Sequence, residues 1–315
     1  MKKNHLFIWL SVLLFSFLLV GCSAEETTTV EKQDEAVVEE LKNYTVTDDV
    51  GNDITFEGVP ETIVSLQPSN TEILFALGVG DKIVGATDYD TYPAEALEIE
   101  RVSDSVAFNA ERITELNPDV VIAYTIGQEE ALQLLEEAGL KVFVIESAAS
   151  FEDVYGDIEQ LATVMGIEEK GKEVISSIQD TIQEVQEKVE TATAAKKVYY
   201  EISPSPDIYT TGSKTFQQEI LAAASVENVF SDQEGWISVS EEDVIAKNPE
   251  IILTTANYLE DAPGEIKSRA GWDQIQAVQN DTVFLVDGDV ISRPGPRIGE
   301  AVELVAKTVY PDLFK

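Results

Sequence analysis

Two of the 59 acidic side chains in this 315-residue chain stand apart, because the phrases around them repeat. "AERITELNPDVVIAY" (110–124) aligns without a gap on "EEDVIAKNPEIILTT" (241–255), every pair 131 positions apart. Glu111 falls on Glu242, Asn117-Pro118 on Asn248-Pro249, and Val120-Val121-Ile122 on Ile251-Ile252-Leu253. A glutamate early in a helix favours the helix dipole; its return in a second copy asks for a further reason. The remaining chemistry is sparse. Carboxylates are everywhere, and no spacing singles out an acid–base pair of the kind a hydrolase needs. "TTGSKT" (210–215) has part of a phosphate loop, but it lacks the earlier glycine, and Ser213 separates Gly212 from Lys214. "DGD" (287–289) reads as a turn. The chain has one cysteine, Cys22, and one histidine, His5. A single cysteine has no partner for an internal disulfide.

Cys22 follows a basic tip (Lys2, Lys3), an apolar run and Leu19-Val20-Gly21, the layout of a secretory signal. The small residues before the cysteine resemble the lipobox of bacterial lipoproteins. That resemblance implies cleavage after Gly21 and a diacylglycerol thioether on Cys22. Loss of residues 1–21 removes Lys2, Lys3 and His5, so the mature chain is two units more negative than the −38 of the whole. Histidine catalysis, and metal sites built on histidine or several cysteines, are thereby excluded from the mature protein. So much negative charge repels nucleic-acid phosphate and disfavours adsorption on anionic lipid; it suits solubility outside the cell. No second apolar run approaches the ~20 residues of a membrane span. Residues 22–43 then form an acidic, threonine-rich tether with few large apolar side chains, composed as a disordered spacer.

The elements that hold these residues begin at Tyr44. "YTVTDDVGNDITF" alternates as a hairpin with an Asp/Gly/Asn turn. Short β-rich runs ("TIVSL", "KIVGAT", "PDVVIAY", "LKVFVIE") then alternate with helical ones up to residue 167, the pattern of a parallel sheet covered by helices. Between 168 and 195, Val174, Ile178, Ile182, Val185 and Val189 recur every three or four residues without a proline, which predicts one long amphipathic helix. A second alternating region fills 196–315. The expected fold class is α/β: two Rossmann-like lobes, 44–167 and 196–315, with parallel-rich sheets and flanking helices, joined by the helix 168–195. Asn-Pro at 117–118 and 248–249 fits helix stops, since Asn tolerates the left-handed conformation and Pro cannot continue the helix.

This plan resembles the substrate-binding proteins of ABC importers for iron-siderophores, haem and cobalamin, whose lobes are joined by a single helix. "IVSLQPSNTEILFALG" (63–78), "GATDYDTYP" (85–93), "NAERITELNPDVVIA" (109–123) and "ISRPGPRI" (291–298) carry the likeness, which spans 44–315 and is greatest to cobalamin-binding members. The resemblance implies a binding protein rather than an enzyme, without a cofactor. It would be a lipid-anchored monomer on the outer side of the cell membrane, serving a permease and its ATPase. It implies that Glu111 and Glu242, one on each lobe, dock into arginine pockets of the permease. It places Tyr89, Tyr124, Tyr209, Trp236, Asp289 and Arg293 around the ligand. The tryptophan that cobalamin-binding members often carry before "NAERI" is replaced within Asp104–Ala107 by small or acidic residues, with Phe108 as a substitute. A corrinoid is the favoured ligand; a ferric siderophore or haem is the alternative, and a tethered hydrolase or adhesin is the rival class.

Overall fold

The computed structural model describes residues 43–104, 107–124 and 129–315, so Cys22, the signal segment and the tether up to residue 42 lie outside the described residues. The first element is an antiparallel hairpin, β1 (Tyr44–Thr47) and β2 (Asp53–Phe56), with Tyr44 opposite Phe56. Its turn closes through Gly51 at φ 87°, a conformation that costs glycine nothing, and through the Asp48 carboxylate, which accepts the Asn52 amide.

The first lobe continues with β3 (Ile63–Ser65), α1 (Pro68–Ala76), β4 (Ile83–Thr87), β5 (Arg101–Ser103), α2 (Ala110–Leu116), β6 (Val120–Tyr124), α3 (Glu129–Glu137), β7 (Val142–Ile145) and α4 (Phe151–Val164). Its five strands pair in parallel in the order β5-β4-β3-β6-β7. Because helices cover both faces, β6 and even the edge strand β7 are apolar and buried along almost their whole length rather than alternating. A single helix, α5 (Glu168–Val189), leads out of this lobe. It stops short of residue 195: the Ala192 N–H turns back to the Val189 carbonyl, and the chain enters the next strand at Lys196.

The second lobe comprises β8 (Lys196–Ser203), β9 (Tyr209–Thr211), α6 (Phe216–Ala223), β10 (Val226–Asn228), β11 (Trp236–Ser238), α7 (Glu241–Lys247), β12 (Ile251–Thr254), α8 (Ala262–Ser268), α9 (Gln276–Gln279), β13 (Val283–Leu285), α10 (Gly288–Ser292) and α11 (Ile298–Val309). The sheet runs β11-β9-β8-β12-β13, with β10 on one half of β8. Its core of β10, β8, β12 and β13 is parallel, and β9 and β11 add an antiparallel edge.

The two repeated phrases fold alike. In both, the glutamate is the second residue of a seven-residue helix, α2 or α7, and the helix ends on a left-handed asparagine: Asn117 at φ 47°, Asn248 at φ 46°. The equivalent apolar residues Ile113 and Val244 are buried beneath. Each following strand lies inside its sheet, β6 between β3 and β7, β12 between β8 and β13.

Helix α5 packs on both lobes through glycines. A Cβ on Gly171 would stand 2.7 Å from that of Ala162 in α4, and one on Gly299 of α11 would stand 3.0 Å from Cβ of Thr181. Its buried stripe is Ile175, Ile178, Ile182, Val185 and Val189. Gly171 therefore serves close packing and gives the helix no hinge.

Candidate functional site

In open α/β sheets, ligands bind outside the carboxyl ends of the strands. Here the segments leaving those ends meet across the two lobes. Helix α1, entered from β3, carries Glu72, which is 2 % exposed although charged. Its carboxylate accepts Arg293 Nη1 at 2.9 Å, Arg297 Nε at 2.7 Å and Arg297 Nη2 at 2.6 Å, all from the second lobe. Arg293 also donates to the Tyr89 carbonyl at 2.9 Å and the Thr91 hydroxyl at 3.1 Å, in the loop after β4. Asp289 of α10 pairs with Arg293 at 2.7 Å and accepts from Thr91. The Arg297 guanidinium lies 4.1 Å over the Tyr92 ring. Burial opposes its charge, but hydrogen bonding to Glu72 prevails and raises its pKa. Removing one partner from such a buried cluster typically costs about 3–5 kcal/mol. A second bridge joins α4 to α6: the Phe151 N–H donates to Glu219, and the Phe151 ring meets Phe216 edge-on at 6.2 Å.

The sequence-derived residues divide accordingly. Arg293 and Asp289 are engaged with each other in this junction, Asp289 half exposed at its edge. Tyr89 is 58 % exposed beside it. Tyr124 ends β6 half-buried, and burial raises its phenol pKa. Tyr209 and Trp236 are 43 % and 49 % exposed, and the β9–β11 register sets them diagonally on one face of that ribbon. Trp236 opens the short strand β11, and α7 starts at Glu241, after the Ser240 cap. Its Nε1 donates to Gln217 at 3.0 Å, which fixes the indole while its face stays open. Phe108 packs against the first-lobe core, so it does not replace the missing tryptophan in the cleft.

Two further exposed side chains lie at or after the carboxyl ends of second-lobe strands and were not singled out from the sequence. Tyr258, 68 % exposed, lies in the loop after β12, and the exposed Leu285 ends β13. Glu72 was missed as well, a lone carboxylate inside the apolar "NTEILFALG".

Glu111 and Glu242 are exposed on α2 and α7, and neither forms an ion pair with a described residue. "TTGSKT" is not a phosphate cradle, because the Gly212 and Ser213 amides are spent on the Gly235 and Gln233 carbonyls. Asp287 of "DGD" caps α10. Among the described residues no helix is long and apolar enough to cross a membrane.

The family model for periplasmic binding proteins matches residues 63–290. The chain is 38 % identical over 320 aligned residues to an uncharacterized ABC transporter substrate-binding lipoprotein, YvrC, of Bacillus subtilis, covering 99 % of each. It is 32 % identical over 247 residues to the vitamin B12-binding protein of Vibrio cholerae, covering 78 % of this chain and 87 % of that one. Among solved structures it resembles a protein of Staphylococcus epidermidis described as a possible iron-binding (periplasmic solute-binding) protein, with a TM-score of 0.73 and 33 % identity over 80 % of this chain and 99 % of that one.

Proposed function

The chain belongs to the periplasmic binding protein family, and on that premise we propose that it is the substrate-binding lipoprotein of an ABC importer and captures a corrinoid of the cobalamin type between its lobes. One observation carries the choice of ligand: both junction arginines are already ion-paired, Arg297 with buried Glu72 and Arg293 with Glu72 and Asp289. An anionic tricarboxylate or catecholate siderophore wants unpaired guanidinium or ammonium groups, and haem propionates want them too. A corrinoid carries amides and brings its own metal ligands. It asks for flat aromatic walls, which bury much area at little cost in side-chain freedom. Tyr89, Tyr124, Tyr209, Trp236 and Tyr258 supply such walls, with Leu285 beside them. Likeness to the vitamin B12-binding protein of Vibrio cholerae supports this ligand. Likeness to the Staphylococcus epidermidis protein favours a ferric chelate, which is the second reading.

In this reading Cys22 holds the protein to the outer face of the membrane through lipid. Glu111 and Glu242 meet the permease, and the permease's ATPase drives release. The deciding measurement is affinity for cyanocobalamin and for an anionic ferric siderophore, each at low and high salt. Corrinoid binding should be the tighter and nearly independent of salt, since exposed charge pairs contribute little to it. A tight siderophore complex that weakens steeply with salt would overturn the corrinoid and leave the binding-protein role standing.

A further inference from the structure

The β1–β2 turn, the loop after β7 and the first turns of α4 enclose a cavity of about 430 Å³ at the edge of the first lobe. Asp49, Glu146, Glu152, Asp153, Asp157 and Glu159 line it, and no lysine or arginine does. Two of these carboxylates are already employed. Asp49 accepts the Glu146 N–H and the Gln160 side-chain amide. Asp153 closes the capping box of α4 with Ser150. Asp157 differs: it is 7 % exposed, faces the cavity, and has neither a hydrogen bond nor an ion pair with any described residue. A buried carboxylate without a partner is costly, and a cation from solution would remove that cost.

We propose that this cavity binds an organic polyammonium cation, a primary diamine or polyamine, with one ammonium on Asp157 and the others reaching Glu146, Glu152 and Glu159. Two observations select that class over a metal ion. Among the described residues no three acidic, histidine or cysteine side chains converge closely enough to hold a metal. The charge is instead spread around a space whose walls include Ala148, the Tyr155 ring and Gly156, surfaces on which methylenes can lie. Burial, and then Asp49 and Asp153, push the Asp157 carboxyl up to about 8. Its titratable surroundings are Glu152, Asp153, Tyr155 and Glu159 on α4, Asp49 on the hairpin turn, Glu146 on the loop and the Tyr124 phenol on β6. Lys172 of α5, which interacts with Glu159 electrostatically, is hydrogen-bonded to Glu169. An ammonium arriving at Asp157 would therefore favour its ionised form and release a proton.

The test is calorimetric titration of the protein with spermidine and with putrescine, near neutral pH and in moderate salt, using two buffers of different ionisation enthalpy. One saturable site is expected, tighter for spermidine, with an observed enthalpy that changes between buffers. Asp157→Asn should weaken spermidine at least tenfold and abolish the buffer dependence. Glu146→Gln/Glu159→Gln changes only exposed residues and should weaken it severalfold while the buffer dependence remains, whatever the fate of Asp157→Asn. Unchanged binding in both variants, or binding that never saturates, overturns the site. Calcium binding as tightly, with the same dependence on Asp157, overturns the polyammonium assignment in favour of a metal.

Discussion

Trp236 and Asp157 represent two ways in which one side chain acts here. The Trp236 indole is held by Gln217 with its face open, so it is oriented before a ligand arrives and little freedom is lost on binding. If it forms a central contact of the corrinoid cleft, Trp236→Ala should cost about 2 kcal/mol of affinity, roughly 30-fold in Kd, by calorimetry. Trp236→Phe keeps a flat ring and should lose less. An unchanged Kd in Trp236→Ala would remove the residue from the ligand surface. For Asp157 the sign follows from proton uptake. The folded carboxyl keeps its proton up to about 8, whereas an unfolded aspartate loses it near pH ~3.9. Between these values folding takes up a proton, so stability falls as pH rises. Asp157→Asn lacks that slope. Its stability advantage over the parent, read from urea unfolding without polyamine, should widen from pH 5 to pH 8; a constant difference contradicts the raised pKa.

At the scale of elements, glycine in a helix has opposite consequences depending on its neighbour. Gly171 allows α5 to touch Ala162, and a methyl there must push the helices apart. Gly156 in α4 faces open space. Gly156→Ala should stabilise by up to about 1 kcal/mol through helix propensity alone. Gly171→Ala should destabilise by about 1–2 kcal/mol, because overpacking outweighs the same gain. Urea midpoints of the two variants check the pair, and equal signs would show that the α4–α5 contact yields freely. The strand–helix alternation, the hairpin and the asparagine stops were legible in the sequence, since each depends on local spacing or local backbone preference. The end of α5 was not, because the turn at Ala192 follows from where β8 must begin. The strand at Trp236 was not legible either, since three residues pairing with β9 leave too short a pattern. Glu72 was hidden for a different reason: its arginines lie 221 and 225 positions away, and only the folded chain brings that charge out of solvent to meet them.

For the whole molecule, the two lobes, the junction and α5 together decide what a partner can read. Glu111 and Glu242 are exposed on α2 and α7, helices that carry none of the aromatic side chains assigned to the ligand. Glu111→Ala and Glu242→Ala should therefore each reduce ligand uptake by cells while leaving ligand affinity within about twofold. Lysine at either position should be worse, by setting like charges together at the permease. Loss of ligand binding in either alanine variant would assign that glutamate to the cleft instead. The junction at Glu72 and the tight seats of α5 on both lobes should hold any opening to a modest rocking motion. They also make α5 a ruler. At 22 residues it is about 33 Å long, and each residue added within it would advance one lobe by about 1.5 Å and turn it by about 100°. Loops on either lobe can lengthen without disturbing the spacing of Glu111 and Glu242, whereas α5 cannot. An importer of this kind could therefore change its cargo through loop residues alone, while the spacing of Glu111 and Glu242 stayed locked to the length of one helix.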